Sequence, residues 1–216
     1  VMLENVRFYQ EELDNDTGFA QSLAKLGDSY INDAFSVCHR KQASVHAITK
    51  FLPSTPGPNL IKEVHYLEKL KDEKAVWILG GGKLDKLKIL EIALKKADKV
   101  LLGGALPFAF MKAQGIPVGM SKVTDEAVSE AKKILKMKES KNIVLPVDFV
   151  VSEKISTRVE SKIVGVNEIE SGKIALDLGP KTVELFKQHL RGAKEVFWNG
   201  PLGYFEINDF ARATKE

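Results

Sequence analysis

The apolar residues of this chain alternate between short continuous runs and longer stretches with helical spacing. A run at residues 75–79 stops at Gly80, Gly81 and Gly82, and a stretch with helical spacing then extends to residue 97. Short apolar runs closed by glycine are typical of buried strands, whereas helical spacing of apolar residues predicts amphipathic helices. The pattern from residue 75 onward therefore predicts a regular succession of strands and helices.

This succession predicts an α/β fold with a mainly parallel sheet. Strands separated by helices connect as right-handed βαβ crossovers, which place the strands parallel and cover both faces of the sheet. Residues 149–174 are less regular, with one strand predicted at residues 162–166, and we expect them at the periphery of the sheet. The other predicted elements are strands at 75–79, 99–102, 143–145 and 195–198, a helix ending at 97, and helices at 108–114, 125–138 and 181–190.

The first part of the chain places two arginines shortly after strand-like runs. Arg7 follows a strand predicted at the start of the chain, and Arg40 follows a second strand, with a helix predicted between them at residues 11–25 and its capping residues at 14–16. The ends of parallel strands line a rim where ligands bind, and guanidinium groups match the oxygens of phosphate. Both arginines are therefore candidate phosphate ligands. On the local sequence alone, an arginine of this kind is more often the partner of a surface ion pair.

A proline-rich segment divides the chain. Pro53, Pro56 and Pro58 lie close together, and the interior of a helix or central strand would not accept them. An amphipathic helix is predicted at residues 59–71 and leads into the next strand. The predicted regions are a first domain at residues 1–56, an interdomain hinge helix at 57–73 and a second domain at 74–216.

Glycines at the ends of two predicted strands form a candidate ligand site. Gly80–Gly82 precede a helix, where backbone N–H groups without partners favour an anion, and Lys83 adds a mobile positive charge. The next strand ends in the same way at Gly103 and Gly104, so the two strand ends could form an open floor for a flat ring. The alternative is that these glycines only make tight turns and that Lys83 is solvated, because the segment matches neither common glycine-rich phosphate motif.

Composition excludes several classes of protein. The 216 residues are 44% hydrophobic and 28% charged, as in ordinary soluble proteins, and the net charge of +3 gives no indication of nucleic acid binding. One cysteine, Cys38, allows no intrachain disulfide, and we expect no membrane association, since no signal peptide or membrane-spanning run is present. Cys38 and His39 would point to opposite faces of an extended segment, so they are not predicted to form a nucleophile–base pair. The dispersed histidines predict no metal site. We therefore expect a soluble, cytoplasmic protein.

Seven motifs together resemble phosphoglycerate kinase and follow that family's order over the whole chain. They are Leu3-Glu-Asn-Val-Arg-Phe, Asn32-Asp-Ala-Phe with His39-Arg40, Leu79-Gly-Gly-Gly-Lys, Lys112-Ala-Gln-Gly, Leu145-Pro-Val-Asp, Asp177-Leu-Gly-Pro-Lys-Thr and Trp198-Asn-Gly-Pro-Leu-Gly-Tyr-Phe-Glu. Each motif is weak by itself, but seven in register are specific. The resemblance implies two Rossmann-like domains with mainly parallel sheets, of which the N-terminal one is incomplete here.

The resemblance also implies a function. Members of this family transfer a phosphoryl group reversibly between ATP and 3-phosphoglycerate, giving ADP and 1,3-bisphosphoglycerate, with Mg²⁺ as the cofactor and with closure about a hinge. Arg7 and Arg40 would bind phosphoglycerate in the first domain, and Lys83 would follow the phosphoryl group during transfer. The implied nucleotide contacts in the second domain are Lys86, Gly103, Gly104, Leu176, Asn199, Pro201 and Glu206. We expect a monomer.

This chain departs from the family pattern near the predicted nucleotide site. The turn after Gly82 is one residue shorter than usual, so Lys88 is an alternative to Lys86 at the nucleotide phosphates. Ala105 and Ala175 stand where the family commonly has glycine, and we expect each methyl group to narrow the ring pocket slightly.

Further departures concern the two ends of the chain. The family's opening third, with an arginine that stabilises the transferring group, would precede Val1, and its closing segment, with a phosphate loop, would follow Glu216. We therefore expect the 216 residues alone to be inactive. The alternatives are a nucleotide-binding module and a homologue that has lost turnover.

Overall fold

The computed structural model describes residues 2–69, 75–82 and 87–216. The chain divides into two compact units, residues 1–72 and 73–216, called here the first unit and the second unit. Within the described ranges, no helix has both the length and the apolar character that crossing a membrane requires. The role of residues 57–73 as a hinge stays a prediction.

The first unit consists of short elements around a small core. The helices are α1 (Gln10–Leu13), α2 (Thr17–Ala24) and α3 (Pro58–Lys69), with 3₁₀ turns at Val6–Phe8, Phe35–Val37 and Ala47–Lys50. β1 (Tyr30–Asn32) and β2 (Ser54–Pro56) pair in parallel, so the proline-rich segment supplies a short edge strand. The core is formed by Ala20, Ala24, Ala43, Ala47 and Ile48.

The strand predicted at the start of the chain is wrong. Residues 2–5 have no regular structure and Val6–Phe8 forms the 3₁₀ turn. Asn5 closes this turn, because its Oδ1 accepts a hydrogen bond from Arg7 N at 3.0 Å. An asparagine before the turn thus decides the local structure, since its side chain competes for backbone N–H groups.

The single helix predicted at residues 11–25 is two helices. Asn15 lies between α1 and α2 in the left-handed conformation, with φ 57°, which interrupts helical hydrogen bonding. α2 then begins at a new cap, because Asp16 Oδ1 accepts a hydrogen bond from Phe19 N at 2.7 Å. The prediction of capping residues at 14–16 is thereby confirmed.

The second unit contains the remaining elements. In chain order they are β3 (Val76–Leu79), α4 (Leu87–Lys96), β4 (Lys99–Leu102), α5 (Leu106–Ala113), α6 (Asp125–Leu135), β5 (Ile143–Val144), β6 (Asp148–Ser152), β7 (Ser161–Gly165), β8 (Ile174–Leu178), α7 (Pro180–Leu190), β9 (Val196–Asn199) and α8 (Arg212–Lys215). The parallel sheet has the strand order β5-β4-β3-β9, and a second, antiparallel sheet has the order β7-β6-β8. The parallel sheet and its helices confirm the predicted α/β alternation, with element ends that differ by a few residues.

The central strand β3 aligns the ends of its neighbours. All four of its residues are buried, as expected for an apolar run with a strand on each side. Its last residue, Leu79, is in register with Leu102 of β4 and with Asn199 of β9. Because these parallel strands end level, the loops that follow them meet at one edge of the sheet.

Residues 149–174 are not the irregular periphery that the sequence suggested. They contribute to the antiparallel sheet, in which β6 pairs with both β7 and β8 and carries a bulge between Val150 and Val151. Phe149 of β6 contacts Phe108 of α5, with ring centroids 5.5 Å apart, and both residues belong to the main core. The second sheet is therefore part of the core that supports the parallel sheet.

Two of the sequence motifs meet in a buried hydrogen-bond network. Asp148 Oδ1 accepts hydrogen bonds from Thr182 N at 2.8 Å and from Thr182 Oγ1 at 2.6 Å, and Oδ2 accepts one from Lys181 N at 3.0 Å. Thr182 Oγ1 in turn accepts from Asp148 N at 3.0 Å. The carboxylate thus satisfies N–H groups in the first turn of α7 and fixes that helix to β6.

Candidate functional site

The loops that follow β3, β4 and β9 are joined by backbone hydrogen bonds. Gly81 N donates to Pro201 O at 2.7 Å, Ala105 N donates to Gly81 O at 3.0 Å, and Gly104 N donates to Leu202 O at 2.9 Å. Each loop therefore bonds to another through main-chain atoms, and the three together form one continuous backbone surface, called here the glycine floor.

The close approach of these loops requires glycine. A Cβ at Gly104 would lie 2.4 Å from Gly81 N, and Gly104 has φ +60°, which other residues rarely adopt. A Cβ at Gly80 would lie 2.2 Å from Pro201 O. The predicted meeting of two glycine-ended strands is therefore confirmed, and the glycine floor exists because no side chain separates the turns.

A cleft of about 280 Å³ opens beside the glycine floor. One wall comes from β8 of the antiparallel sheet, and another comes from the loop that follows β9. The described residues that line it are Gly81, Gly82, Gly104, Ala105, Phe108, Lys122, Phe149, Ile155, Ile174, Ala175, Leu176, Asp177, Leu178, Pro201, Leu202, Gly203, Tyr204 and Glu206.

The lining is mostly apolar and carries few charged groups. Its charged side chains among the described residues are those of Lys122, Asp177 and Glu206. Apolar clefts with a few convergent polar groups are typical of small-molecule sites. A flat ring could bury its faces against the backbone of the glycine floor and the aliphatic wall, while the exposed Glu206 carboxylate could accept hydrogen bonds from hydroxyl groups.

Four of the residues implied as nucleotide contacts lie together in this cleft. Gly104 belongs to the floor, Leu176 to the β8 wall, and Pro201 and Glu206 to the loop after β9. The fold thus brings together residues that are up to 102 positions apart in the chain. Their contact with a nucleotide stays a prediction.

Two further predicted contacts are not among the described residues that line the cleft. A Cβ at Gly103 would lie 2.4 Å from Leu202 Cδ2, so Gly103 is covered by that side chain. Asn199 accepts a hydrogen bond from Gly80 N through its backbone oxygen at 2.9 Å, which continues the pairing of β9 with β3. Both residues take part in the packing and backbone pairing of the strands and loops that carry the floor. Lys83 and Lys86 lie outside the described residues, as does the side chain of Lys88.

Asp177 is a cleft residue that the sequence reasoning missed. It is 2% exposed within the otherwise apolar strand β8. Burial raises the pKa of its carboxyl to about 6, although hydrogen bonds from the backbone N–H groups of Ala213, Leu178 and Arg212 lower it. The available signal was the acidic residue in the apolar run at residues 174–178, because such residues are rarely buried without partners.

The two candidate phosphate ligands of the first unit keep their positive charge unpaired among the described residues. Arg7 Nε donates to Gln42 Oε1 at 3.2 Å, so a neutral amide holds the side chain in place. Arg40 is exposed, and neither arginine has an ion pair with a described carboxylate. Arg191 and Arg212, by contrast, each pair with a glutamate. The role of Arg7 and Arg40 as phosphate ligands stays a prediction.

The described part of the chain offers no preformed metal site. Within it, no group of three or more histidine, cysteine, aspartate and glutamate side chains is placed so that it could hold a metal ion. A magnesium ion bound to nucleotide phosphates keeps several water ligands and uses only one or two protein carboxylates. We therefore assign no described side chain to a metal.

Comparisons with known proteins agree on one family. The family model described as Phosphoglycerate kinase matches residues 1–216. The phosphoglycerate kinase of Pseudothermotoga lettingae is 45% identical over 222 residues, which include 100% of this chain and 56% of that protein. The phosphoglycerate kinase of Pelobacter propionicus is 46% identical over 221 residues, covering 99% of this chain and 55% of that protein. The chain thus spans just over half the length of these relatives.

Solved structures with the same fold carry the same name. Phosphoglycerate kinase from Pyrococcus horikoshii OT3 matches with a TM-score of 0.85 and 30% identity, over 99% of this chain and 57% of that one. The enzyme from Coxiella burnetii matches with a TM-score of 0.81 and 33% identity, over 98% of this chain and 57% of that one. Since the family model covers every residue, the chain belongs to the phosphoglycerate kinase family.

Proposed function

We propose that this chain takes part in reversible phosphoryl transfer between ATP and 3-phosphoglycerate, with the nucleotide bound by the second unit. The observation that carries the proposal is the cleft beside the glycine floor, where Gly104, Leu176, Pro201 and Glu206 meet. In this assignment the adenine ring lies against the floor, where no side chain intervenes. The Glu206 carboxylate accepts hydrogen bonds from the ribose hydroxyls.

The nucleotide phosphates are assigned to the segment between β3 and α4. α4 begins at Leu87, and the first N–H groups of a helix favour phosphate. Lys83 is proposed to follow the phosphoryl group, with Lys86 or Lys88 at the nucleotide phosphates. This part of the proposal rests on family membership and on the sequence, because residues 83–86 lie outside the described ranges.

The first unit is proposed to bind 3-phosphoglycerate through Arg7 and Arg40. The Arg7 Nε contact with Gln42 leaves the two terminal guanidinium nitrogens available for a bidentate interaction with phosphate. Gln42 is 8% exposed, so the acceptor of this hydrogen bond belongs to a buried residue. A neutral support suits this role, since a carboxylate partner would offset the charge that attracts the substrate.

The proposed chemistry relies on position and charge. The acceptor is a carboxylate that is already ionised at neutral pH, so transfer needs neither a covalent intermediate nor a strong base. The protein contributes alignment of the reactants and neutralisation of charge on the transferring group. Mg²⁺ is proposed to arrive with the nucleotide, and when bound it neutralises phosphate charge.

Glu206→Ala should weaken MgADP binding by about three- to tenfold, because the ribose hydroxyls lose a charged acceptor. Isothermal titration calorimetry of the 216-residue chain measures the change. Glu160→Ala is the matched control, since Glu160 is also exposed and does not line the cleft. Equal affinities for wild type and Glu206→Ala would remove Glu206 from the nucleotide site.

The 216 residues expressed alone should bind nucleotide without measurable turnover. They correspond to 56% of the length of a related enzyme, so a large share of that enzyme's residues has no counterpart in such a sample. A coupled assay with 3-phosphoglycerate and MgATP checks this expectation. Turnover within about tenfold of an intact relative, on the scale of about 1–100 per second for kinases, would contradict it.

A further inference from the structure

Asp177 connects the β8 wall of the cleft to the C-terminal helix. Its Oδ1 accepts a hydrogen bond from Leu178 N at 2.9 Å, and its Oδ2 accepts one from Ala213 N of α8 at 3.2 Å. α8 is in turn bound to the loop after β9, because Leu202 N donates to Thr214 Oγ1 at 3.0 Å. The Asp177 carboxylate thus binds α8, and α8 in turn binds the loop after β9 that lines the cleft.

The cleft loop also packs directly on this carboxylate. A Cβ at Gly203 would lie 2.2 Å from Asp177 Oδ1, so the Gly203 backbone contacts the carboxylate without an intervening side chain. The next residue, Tyr204, donates its N–H to Leu176 O at 2.7 Å. Glu206 follows two residues later, so its position depends on how this loop is seated on β8.

We propose that Asp177 is a positioning residue for nucleotide binding, whose ionised carboxylate seats residues 202–206 and α8 in the geometry that completes the cleft. This inference rests on the proposed function. The described hydrogen-bond partners of the carboxylate are backbone N–H donors. An ionised carboxylate accepts from all of them, whereas a protonated acid or an amide turns a hydrogen toward one donor and loses that contact.

The surroundings of Asp177 allow both protonation states. Burial raises the pKa of its carboxyl to about 6, while the backbone N–H groups and the positive charge of Arg212 lower it. The carboxylate is therefore largely ionised at neutral pH and protonated in mild acid. The other charged side chains carried by the cleft and by the elements around Asp177 are those of Lys122, Asp148, Glu206, Asp209, Lys215 and Glu216.

Stability and affinity should respond to pH in opposite directions at this residue. The pKa of Asp177 is about 6 in the folded chain, above its value of about 4 when unfolded, so its protonation stabilises the folded state as the pH falls from about 6 to about 4. Affinity for nucleotide should instead fall as the pH drops through about 6, because the position of residues 202–206 depends on the ionised form of Asp177. A residue that only supported the fold would not separate the two responses.

The test compares MgADP titrations of wild type, Asp177→Asn and the control Asp209→Asn at about pH 7.5 and about pH 5.5. Asp177→Asn imitates the protonated state, and Asp209 is exposed on the 3₁₀ turn Asn208–Phe210. We expect the Kd of Asp177→Asn to exceed that of wild type by about tenfold at the higher pH and by about threefold at the lower pH. Titration of the ADP phosphates is common to all three proteins and cancels in these ratios.

Equal affinities of wild type and Asp177→Asn at about pH 7.5 would overturn the positioning role and leave the proposed function intact. Absence of MgADP binding by folded wild type would instead contradict the proposed function, and the inference with it. If Asp177→Asn does not fold, titration of wild type with adenosine, which has no phosphate to ionise, decides the question. An affinity that falls as the pH passes through about 6 supports the inference, and a flat profile overturns it.

Discussion

Replacing Gly104 by alanine should abolish nucleotide binding while the second unit stays folded. The new Cβ would lie 2.4 Å from Gly81 N and 2.5 Å from Gly81 O, and both atoms belong to the backbone. The two turns must then separate, which breaks the hydrogen bond from Ala105 N to Gly81 O and opens the glycine floor. We expect the Kd for MgADP to rise by more than about hundredfold, measured by calorimetry on samples with native circular dichroism.

Gly115→Ala is the control variant that separates the effect of atomic overlap at Gly104 from the effect of backbone strain. Gly115 also has positive φ, +79°, but apart from its chain neighbours no heavy atom of the described residues lies within 4 Å of its Cβ position. Both variants therefore place alanine in the left-handed region, at a cost of about 1–2 kcal/mol, and only Gly104→Ala adds a collision. Gly115→Ala should bind MgADP within about twofold of wild type. If it lost binding to the same extent as Gly104→Ala, contact between the turns would not be the cause.

Asp148→Ala should lower the free energy of unfolding by about 3–5 kcal/mol, which is among the larger effects of single substitutions. The variant leaves the N–H groups of Lys181 and Thr182 without their carboxylate acceptor, and the buried Thr182 hydroxyl keeps only the main-chain oxygen of residue 148 as an acceptor. Asp148 and Thr182 are 2% and 0% exposed, so water cannot replace the carboxylate without opening the core. Urea denaturation followed by circular dichroism gives the change.

A double-mutant cycle with Thr182→Val assigns this loss to the network. We expect a coupling energy of about 1–3 kcal/mol between the two positions, since each is the main partner of the other. Asp125→Ala is the control, because Asp125 forms a surface ion pair with Lys112 and its side chain is 92% exposed. It should be nearly neutral. A loss at Asp148 as small as the loss at Asp125 would show that the network does not anchor α7.

The parallel sheet could be predicted because local sequence patterns mark its strands and helices. β3 and β4 are apolar runs closed by glycine, and the helices between the strands have clear apolar spacing. Pairing the strand ends then follows from the geometry of parallel sheets. The meeting of Gly81 and Gly104 could therefore be expected from the sequence, although their hydrogen bonds to the loop after β9 could not.

The antiparallel sheet was predicted only in part. The strand predicted at residues 162–166 is β7 (Ser161–Gly165), whereas the pairing of β6 with β7 and β8 was missed because these strands lack a simple alternation. Ile163 of β7 is 57% exposed although it is apolar, and Asp177 of β8 is buried although it is acidic. The bulge at Val150 and Val151 further shifts the pairing of β8 with β6. The burial of Asp177 depends on tertiary contacts with α8 and with Gly203, and a single sequence does not reveal such contacts.

The sequence predicted only part of the candidate site, because the rest depends on tertiary contacts. Family resemblance pointed to Leu176 and Glu206, and the fold places both in one cleft. Resemblance also pointed to Gly103, but the Leu202 side chain covers it. Asp177 was missed because its partner Ala213 lies 36 positions away in the chain.

The structure of the MgADP complex tests the proposed nucleotide site most directly. We expect the adenine ring against the backbone of Gly81 and Gly104, with a ribose hydroxyl about 2.6–3.2 Å from a carboxylate oxygen of Glu206. Ala175 and Leu176 should form the wall beside the ring. A complex in which the ring lies outside the cleft, with the glycine floor exposed to solvent, would contradict the assignment of this site.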